Sequence, residues 1–189
     1  MSMSLDGFIA DENDGIDELF GWFGNGDIEV PTANPQFSFR VTEASAGHLE
    51  PLISGRVGAL ICGRRVFDIA GGWGGTHPAG SPVFVVSHTV PNGWPRPDSR
   101  TTFYTDPMAA LEAARVEAGE RDIVVATPSI TQQFLDAGVL DAISVSLIPV
   151  LLGRGIRFFD HLAKTPVRLG DPVVTEGKSV THLRYAVIR

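Results

Sequence analysis

One stretch of the chain, from Asp122 to Asp160, holds a complete strand, helix and strand unit, and it limits the fold more than any other sequence feature. The unit opens with a short apolar run at residues 123–126, which is typical of a strand. Thr127 and Pro128 then mark a helix start, because a hydroxyl caps free backbone N–H groups and proline has its φ preset for the first helical residue. Residues 143–147 alternate apolar side chains with serines, which predicts a second strand with one apolar face. This order of elements indicates an α/β protein.

The helix of this unit has a regular apolar spacing and a geometry that favours anions at its start. Ile130, Gln133, Phe134 and Ala137 fall at helical spacing, and Gly138 then ends the helix. A strand that leads directly into a helix directs free N–H groups and the positive end of the helix dipole at one point, which favours a phosphate group. Because any strand-to-helix turn has this geometry, a phosphate site and an ordinary turn both stay open.

The rest of the chain continues the alternation of strands and helices and closes with a hairpin. Residues 4–9 predict a strand interrupted by a turn, and because the chain begins almost inside this strand, we expect further residues before Met1. Loops are predicted at the Gly-rich residues 24–35 and 70–80. The pattern predicts one domain, residues 1–189, which is an α/β sandwich with a mixed sheet and an antiparallel last strand. The helices are predicted at residues 44–53 and 106–119, and the further strands at residues 57–62, 82–87, 101–104, 173–175 and 180–188.

Charge and composition exclude several classes of function. The 15 basic and 22 acidic residues give a net charge of -7, which argues against a nucleic-acid partner and against an anionic membrane surface. No apolar run is long enough to span a bilayer, and the N-terminus lacks a basic signal region. The single cysteine, Cys62, rules out an internal disulfide and lies in an apolar run, which predicts an inert buried thiol in a cytoplasmic protein.

Two further stretches carry polar groups directly after predicted strands. Gly63, Arg64 and Arg65 combine a residue that allows close backbone approach with two guanidinium groups suited to phosphate. Ser87 and His88 end the strand at residues 82–87 and present a hydroxyl and an imidazole at the sheet edge. The arginine pair is equally compatible with solvated surface charges, and that alternative stays open.

Two other features bear on the kind of site. Trp73, within the Gly-rich loop, is either a lid over a pocket or an anchor for the loop. The histidines show no ligand spacing and no zinc-deaminase pattern is present, so we predict no metal site and no deaminase activity. The five histidines are His48, His77, His88, His161 and His182.

Four segments, in this order, resemble the RibD C-terminal domain family, the riboflavin-biosynthesis reductase branch of the dihydrofolate-reductase-like superfamily. They are SLDGFIA at residues 4–10, GRRVFD at 63–68, PVFVVSH at 82–88 and the long stretch from Ile130 to Asp160. The last is the most specific, because its helix, its turn and its Pro-Val-Leu-Leu-Gly run follow the family signature nearly throughout. The resemblance covers almost the whole chain apart from the loops at residues 11–35 and 91–99.

The resemblance implies a dihydrofolate-reductase-like three-layer α/β/α sandwich with a mixed, mostly parallel sheet, a homodimer, a small-molecule substrate and NADPH as hydride donor. Asp6 would face the nicotinamide and the substrate and is the first candidate proton source, with Asp17 a weaker one; a purely turn-forming role for Asp6 stays open. The helix that begins at Thr127 would receive the pyrophosphate. The implied cofactor-binding residues are Gly63, Arg64, Arg65, Ser87, His88, Ala126, Thr127, Ser129 and Ile130.

The chain departs from the family pattern just before the helix. Members of the family usually carry two glycines where this chain has Ala126 and Thr127, and riboflavin reductases commonly have a glutamate at the position of Val125. Cβ atoms at the first two positions are expected to crowd the approach of a cofactor. Two hypotheses follow: an NADPH-dependent reductase similar to 5-amino-6-(5-phosphoribosylamino)uracil reductase and acting on a small heterocyclic or imine substrate, or a non-catalytic ligand-binding or regulatory domain that has lost tight NADPH binding.

Overall fold

The computed structural model describes residues 1–188, which form two compact units. The first unit contains Met1–Val30, Phe39–His48 and the segment from Thr131 onward, and the second contains Pro31–Ser38 and Leu49–Ile130. The strands are β1 (Ser2–Ser4), β2 (Phe8–Ala10), β3 (Ile28–Val30), β4 (Phe39–Val41), β5 (Val57–Gly63), β6 (Val83–Val86), β7 (Thr101–Tyr104), β8 (Asp122–Val125), β9 (Ala142–Ile148), β10 (Ile156–Arg157), β11 (Val173–Gly177) and β12 (Val180–Ala186). The α-helices are α1 (Asp17–Phe20), α2 (Glu43–Ile53), α3 (Arg64–Ile69), α4 (Pro107–Ala118) and α5 (Pro128–Asp136).

The first unit is built on a mixed four-stranded sheet in the order β1-β9-β12-β11. Strand β1 is parallel to β9, whereas β12 is antiparallel to both of its neighbours. One face of the sheet carries an apolar core that includes Ile143, Val145 and Phe158. The opposite face is polar but buried, since Ser2, Ser146 and His182 lie on it and are almost inaccessible to solvent.

The second unit is built on a wholly parallel four-stranded sheet in the order β7-β6-β5-β8. Strand β5 is buried along nearly its whole length, which explains its unbroken apolar sequence. Helix α4 packs on β5, and Gly58 permits the close approach because a Cβ there would collide with Ala118. The thiol of Cys62 is fully buried, as its sequence predicts, and this burial raises its pKa to about 12.

The fold class predicted from the sequence is confirmed. The parallel sheet, the helices and the closing antiparallel hairpin of β11 and β12 are all present, and the predicted strand at Thr101–Tyr104 has the bounds observed for β7. Asp106 caps α4 as its sequence predicts, because its carboxylate accepts a hydrogen bond of 2.8 Å from the Met108 backbone N–H. The assignment of residues 1–189 to a single domain stays a prediction.

Several local predictions differ from the structure. The loop predicted at residues 24–35 contains β3, and the arginine segment after β5 forms helix α3. The sequence placed Ile130, Gln133, Phe134 and Ala137 on one face of helix α5. In the structure Ile130 and Phe134 are buried, whereas Gln133 and Ala137 are exposed. Within residues 1–188, every helix is too short or too polar to cross a bilayer.

Candidate functional site

The second unit has the topology that places a ligand site at the carboxyl ends of its strands. After β5 the chain adds β6 and β7 on one side, then returns to place β8 on the other side of β5, so the strand order reverses between β5 and β8. In open α/β sheets, ligands bind in the crevice at such a reversal. The residues at this point are Gly63, which ends β5, and Thr127, which follows β8. The sequence predicted both as cofactor-binding residues.

Gly63 and Thr127 lie directly beside each other. A Cβ built on Gly63 would be 3.4 Å from Cγ2 of Thr127, and the backbone N–H of Ala126 donates to the Ile61 carbonyl oxygen at 2.9 Å. Gly63 has an extended backbone with φ of -83°, so its torsion angles do not require glycine, and a Cβ there would be in van der Waals contact with Thr127. The missing side chain leaves a small gap at the strand reversal.

Of the two residues that depart from the glycine pair, only Thr127 lies beside Gly63. Ala126 packs against the apolar cluster that contains Cys62 and Phe67, so its methyl group belongs to the core. Thr127 is buried, and its methyl group is the nearest side-chain atom to the position of a Gly63 Cβ. Of the two residues that replace the glycine pair, Thr127 is therefore the one whose side chain fills space next to Gly63.

Arg64 begins helix α3 and is held in one orientation by two neighbours. Its Nε donates to both carboxylate oxygens of Asp68, each at 2.8 Å. Its Nη1 donates to the carbonyl oxygen of Thr89 at 3.2 Å and approaches the Thr89 hydroxyl at 3.4 Å. The guanidinium group is partly exposed and stands immediately after the glycine at the strand reversal, where a phosphate-binding arginine was predicted.

Ser87 supports this arrangement from the neighbouring strand. Its hydroxyl donates to the Thr89 carbonyl oxygen at 2.6 Å and accepts from the Thr89 backbone N–H at 3.3 Å. Its own N–H donates to the Tyr104 carbonyl oxygen at 2.8 Å, which ties the segment to β7. Ser87 therefore shapes the turn that contacts Arg64, whereas His88 is exposed on the same turn.

The remaining cofactor candidates differ in accessibility. Arg65 and Ser129 are exposed. Ile130 is 2% exposed and lies in the core, so a ligand can reach it only through its backbone. In residues 1–188 no group of three or more His, Cys, Asp and Glu side chains is arranged to hold a metal ion.

Asp6 belongs to the first unit, where its carboxylate holds a turn. It accepts hydrogen bonds from the Ser4 hydroxyl at 2.6 Å, from the Leu152 N–H at 3.1 Å and from the Gly153 N–H at 2.7 Å. The bond from Ser4 and those from the two backbone N–H groups lower the pKa of Asp6, although partial desolvation opposes the shift. A carboxylate stabilised in this way stays ionised, which favours the turn-forming role over proton donation.

A buried polar cluster in the first unit was missed by the sequence analysis. His182 is 1% exposed, and its Nε2 and Nδ1 lie 3.0 Å from the Ser45 hydroxyl and 2.9 Å from the Ser146 hydroxyl. The ring of His48 stacks on His182 with centroids 3.9 Å apart. The sequence spacing gave no indication that these two histidines lie together. The serine-faced strand β9 was the available signal, since a buried serine requires a polar partner.

Trp73 is an anchor of its loop. It is 8% exposed within the apolar cluster of the second unit, and its backbone lies in a left-handed turn with φ of 50°. The buried Asn34 amide donates to the carbonyl oxygens of Trp73 and Thr76, each at 2.7 Å. These bonds tie Asn34 to the loop, and the Trp73 carbonyl oxygen also accepts a hydrogen bond of 3.3 Å from the Thr76 backbone N–H.

Comparisons with known proteins identify the fold. No family model matches the chain, and no curated protein matches it. Among solved structures, a protein from Shewanella sp. PV-4 whose name refers to riboflavin biosynthesis is 25% identical, with a TM-score of 0.67 and full coverage of both chains.

Two longer proteins show the same fold at lower identity. RibD from Acinetobacter baumannii is 15% identical, with a TM-score of 0.61, and the match covers 100% of this chain and 56% of that one. A diaminohydroxyphosphoribosylaminopyrimidine deaminase/5-amino-6-(5-phosphoribosylamino)uracil reductase from Thermotoga maritima is 12% identical, with a TM-score of 0.59, and the match covers 98% of this chain and 54% of that one. This chain thus spans about half the length of these two longer proteins. It has the dihydrofolate-reductase-like fold of the RibD C-terminal domain family, and this fold confirms the resemblance found in its sequence.

Proposed function

We propose that this protein is an NADPH-dependent reductase that transfers a hydride to a small heterocyclic or imine-bearing substrate. The observation that carries the proposal is the arrangement at the strand reversal of the second unit, where Gly63 leaves a gap beside Thr127 and the oriented guanidinium group of Arg64 follows directly. The space left by the missing Gly63 side chain, followed directly by a fixed cation, suits a phosphate group. The similarity to the Shewanella protein supports the same class of function.

The residues of this site fit a phosphorylated dinucleotide. Gly63 and the start of α5 would receive the diphosphate, since a Cβ at Gly63 would fill the gap. Arg64 and Arg65 would bind the 2′-phosphate, with Ser87 and His88 beside it. Bound NADPH supplies the hydride, so the chain itself has to orient the nicotinamide, exclude water and deliver a proton.

Asp6 remains the proposed residue at the nicotinamide and substrate end. Its ionised carboxylate is better suited to accepting a hydrogen bond from a substrate N–H than to donating a proton. A substrate similar to 5-amino-6-(5-phosphoribosylamino)uracil offers such N–H groups. Val125 stands where riboflavin reductases commonly have a glutamate, so we propose a related heterocycle or imine and not this uracil itself.

A homodimer and a cytoplasmic location complete the proposal. Residues 143–152, which contain most of β9 and the apolar run after it, are the proposed interface, but β9 pairs with β1 on one side and β12 on the other, so its backbone has no free edge. Leu151, in the apolar run that follows β9, is exposed, and we propose that this run forms the symmetric contact between two copies of the chain. Light scattering at micromolar protein concentration is expected to give twice the chain mass, and a monomer would refute the dimer.

Nucleotide titration of an arginine variant tests the cofactor assignment. Arg64→Ala is expected to raise the Kd for NADPH about 10- to 100-fold, because a charged hydrogen bond to phosphate contributes about 1.5–3 kcal/mol. The Kd for NADH, which lacks the 2′-phosphate, should change far less. Arg56→Ala is the matched control, since Arg56 is an exposed arginine at the opposite end of β5 that also pairs with an aspartate. Equal losses for both nucleotides would refute the 2′-phosphate role.

One observation favours the second candidate, a ligand-binding or regulatory domain without catalysis. The methyl group of Thr127 occupies space next to Gly63 that the family's glycine leaves open. If this methyl group prevents cofactor binding, the wild-type chain binds neither nucleotide, whereas Thr127→Gly combined with Ala126→Gly creates NADPH binding. Micromolar binding of NADPH by the wild type would exclude this candidate.

A further inference from the structure

We propose that Asp68 is a positioning residue that sets NADPH selectivity by fixing the Arg64 guanidinium group for a 2′-phosphate. This inference rests on the proposed function and assigns a role to a residue that the sequence analysis did not select. Asp68 is not expected to touch the nucleotide, and it acts only through Arg64.

The geometry around Arg64 leaves one edge of its guanidinium group for a ligand. Both oxygens of Asp68 bind Nε, and the turn at Thr89 binds Nη1. No residue of the described chain, 1–188, forms a hydrogen bond with Nη2. Because the guanidinium group is planar, contacts on two of its nitrogen atoms fix the direction of the third.

The pair adds little to the stability of the helix. Arg64 is the first residue of α3 and Asp68 stands one turn later, so both charges oppose the helix dipole. The two side chains are 35% and 49% exposed, and ion pairs of that kind contribute little to the free energy of unfolding. An arrangement that gains little in stability yet fixes a cation beside a ligand site points to a role in binding.

The turn after β6 fixes the other side of the guanidinium group. Thr89 offers its carbonyl oxygen to Arg64, and the same oxygen accepts the Ser87 hydroxyl. Ser87 is in turn bonded to Tyr104 at the end of β7. The orientation of Arg64 is therefore determined jointly by its own helix and by the ends of two parallel strands.

Two physical effects of Asp68 predict opposite results when its charge is removed. Its negative charge repels a nearby phosphate, so direct electrostatics predicts tighter NADPH binding by Asp68→Asn. Loss of positioning instead predicts weaker binding, because asparagine keeps only one uncharged acceptor oxygen for Nε. The loosened guanidinium group must then be immobilised again, and this costs roughly three- to tenfold in affinity. We expect the loss of positioning to dominate, since solvent screens the repulsion at this exposed site.

The test is a double-mutant cycle read out as the ratio of the Kd values for NADH and NADPH. Asp68→Asn is expected to lower this ratio about three- to tenfold in the wild-type background, with the Kd for NADH unchanged, and to leave the ratio unchanged when Arg64 is alanine. Asp122→Asn is the matched control, because Asp122 accepts an Arg56 Nε–H at 2.8 Å at the opposite end of the sheet. Ser87→Ala, which changes no charge, is a second variant, and the part of its effect that passes through the Thr89 carbonyl oxygen to Arg64 should disappear when Arg64 is alanine.

The outcomes separate this inference from the proposed function. An unchanged or increased selectivity in Asp68→Asn, or an equal loss in the Arg64→Ala background, overturns the positioning role while NADPH selectivity of the wild type stands. A wild-type chain that binds neither nucleotide overturns both. Thermal unfolding of each variant shows that the fold is retained, and an Asp68→Ala cycle measured in the same way decides the question if Asp68→Asn unfolds.

Discussion

His182 is expected to make the first unit sensitive to mild acid. Its ring is buried between two serine hydroxyls and against the His48 ring, so a proton on it would have to be accommodated away from solvent. Burial is the main cause that lowers the pKa of His182 from 6.5 to about 4. The same effect, reinforced by His182 itself, lowers the pKa of His48 to about 4.

The sign and size of the effect follow from these two pKa values. Because the folded-state pKa is the lower one, the unfolded chain takes up the proton first, and stability is lost as the pH falls from 6.5 toward about 4. A shift of this size corresponds to about 3 kcal/mol when complete. By pH 5 the contribution of His182 amounts to about 2 kcal/mol, and His48 acts in the same direction.

Urea unfolding at pH 7 and pH 5 measures this loss. His182→Gln removes the titrating group, so the stability difference between the two pH values should shrink by about 2 kcal/mol relative to wild type. His161→Gln is the control, because the His161 side chain is 87% exposed and its replacement leaves the core unchanged. NMR titration of the histidine ring protons gives the His182 midpoint directly.

Two results would refute this reasoning. A His182 midpoint near or above 6 would mean that the charged ring is tolerated in the core. A pH dependence in His182→Gln equal to that of wild type would mean that other groups cause the acid sensitivity. Lower stability of the variant at pH 7 alone would not decide the question, because any change at a residue this buried disturbs packing.

Two further predictions concern space in the second unit. Thr127→Ser removes the methyl group beside Gly63 and should raise the affinity for NADPH about fivefold, or about 1 kcal/mol. Ala126→Gly is the control and should leave the affinity unchanged in the same nucleotide titrations. Equal gains in affinity from both variants would contradict the assignment of the crowding to Thr127. Gly72→Ala should lower the free energy of unfolding by about 2–4 kcal/mol, because the new Cβ collides with the Trp94 ring at a φ of 59°. Gly71→Ala has a similar φ but open space, so it should cost only about 1–2 kcal/mol, and equal thermal shifts of the two variants would argue against the collision.

The parts of the fold that the sequence predicts well are those specified by adjacent residues. Helix α4 has an aspartate cap, a proline and a terminal glycine within its own sequence, and the strand before it is bounded by turn residues. Strand β5 is equally clear, because its apolar run has no polar interruption. These signals are local, so they need no knowledge of the partner strands.

The parts that the sequence does not predict depend on distant partners. Strand β10 has two residues, and it is a strand only because it pairs with β2 near the start of the chain. His48 and His182 are brought together by the packing of α2 against the mixed sheet within the first unit, and no spacing rule connects them. The arginines after Gly63 indicated a phosphate site, and that interpretation obscured the short helix that carries them.

The departure from the family's glycine pair has a narrower consequence than its sequence suggests. Successive residues at a strand end point to opposite sides, so two neighbouring methyl groups cannot both face a ligand. Here Ala126 packs against the core cluster while Thr127 faces Gly63, so under the proposed function we expect only Thr127 to affect cofactor affinity. The positive charge of the site is carried by Arg64, whose contact with Asp68 does not involve Thr127. Variants of Thr127 should therefore change the affinity for NADPH and NADH together, whereas variants of Arg64 and Asp68 should change the ratio between them, and a Thr127→Ser variant that altered the ratio would show that the two features are not separate.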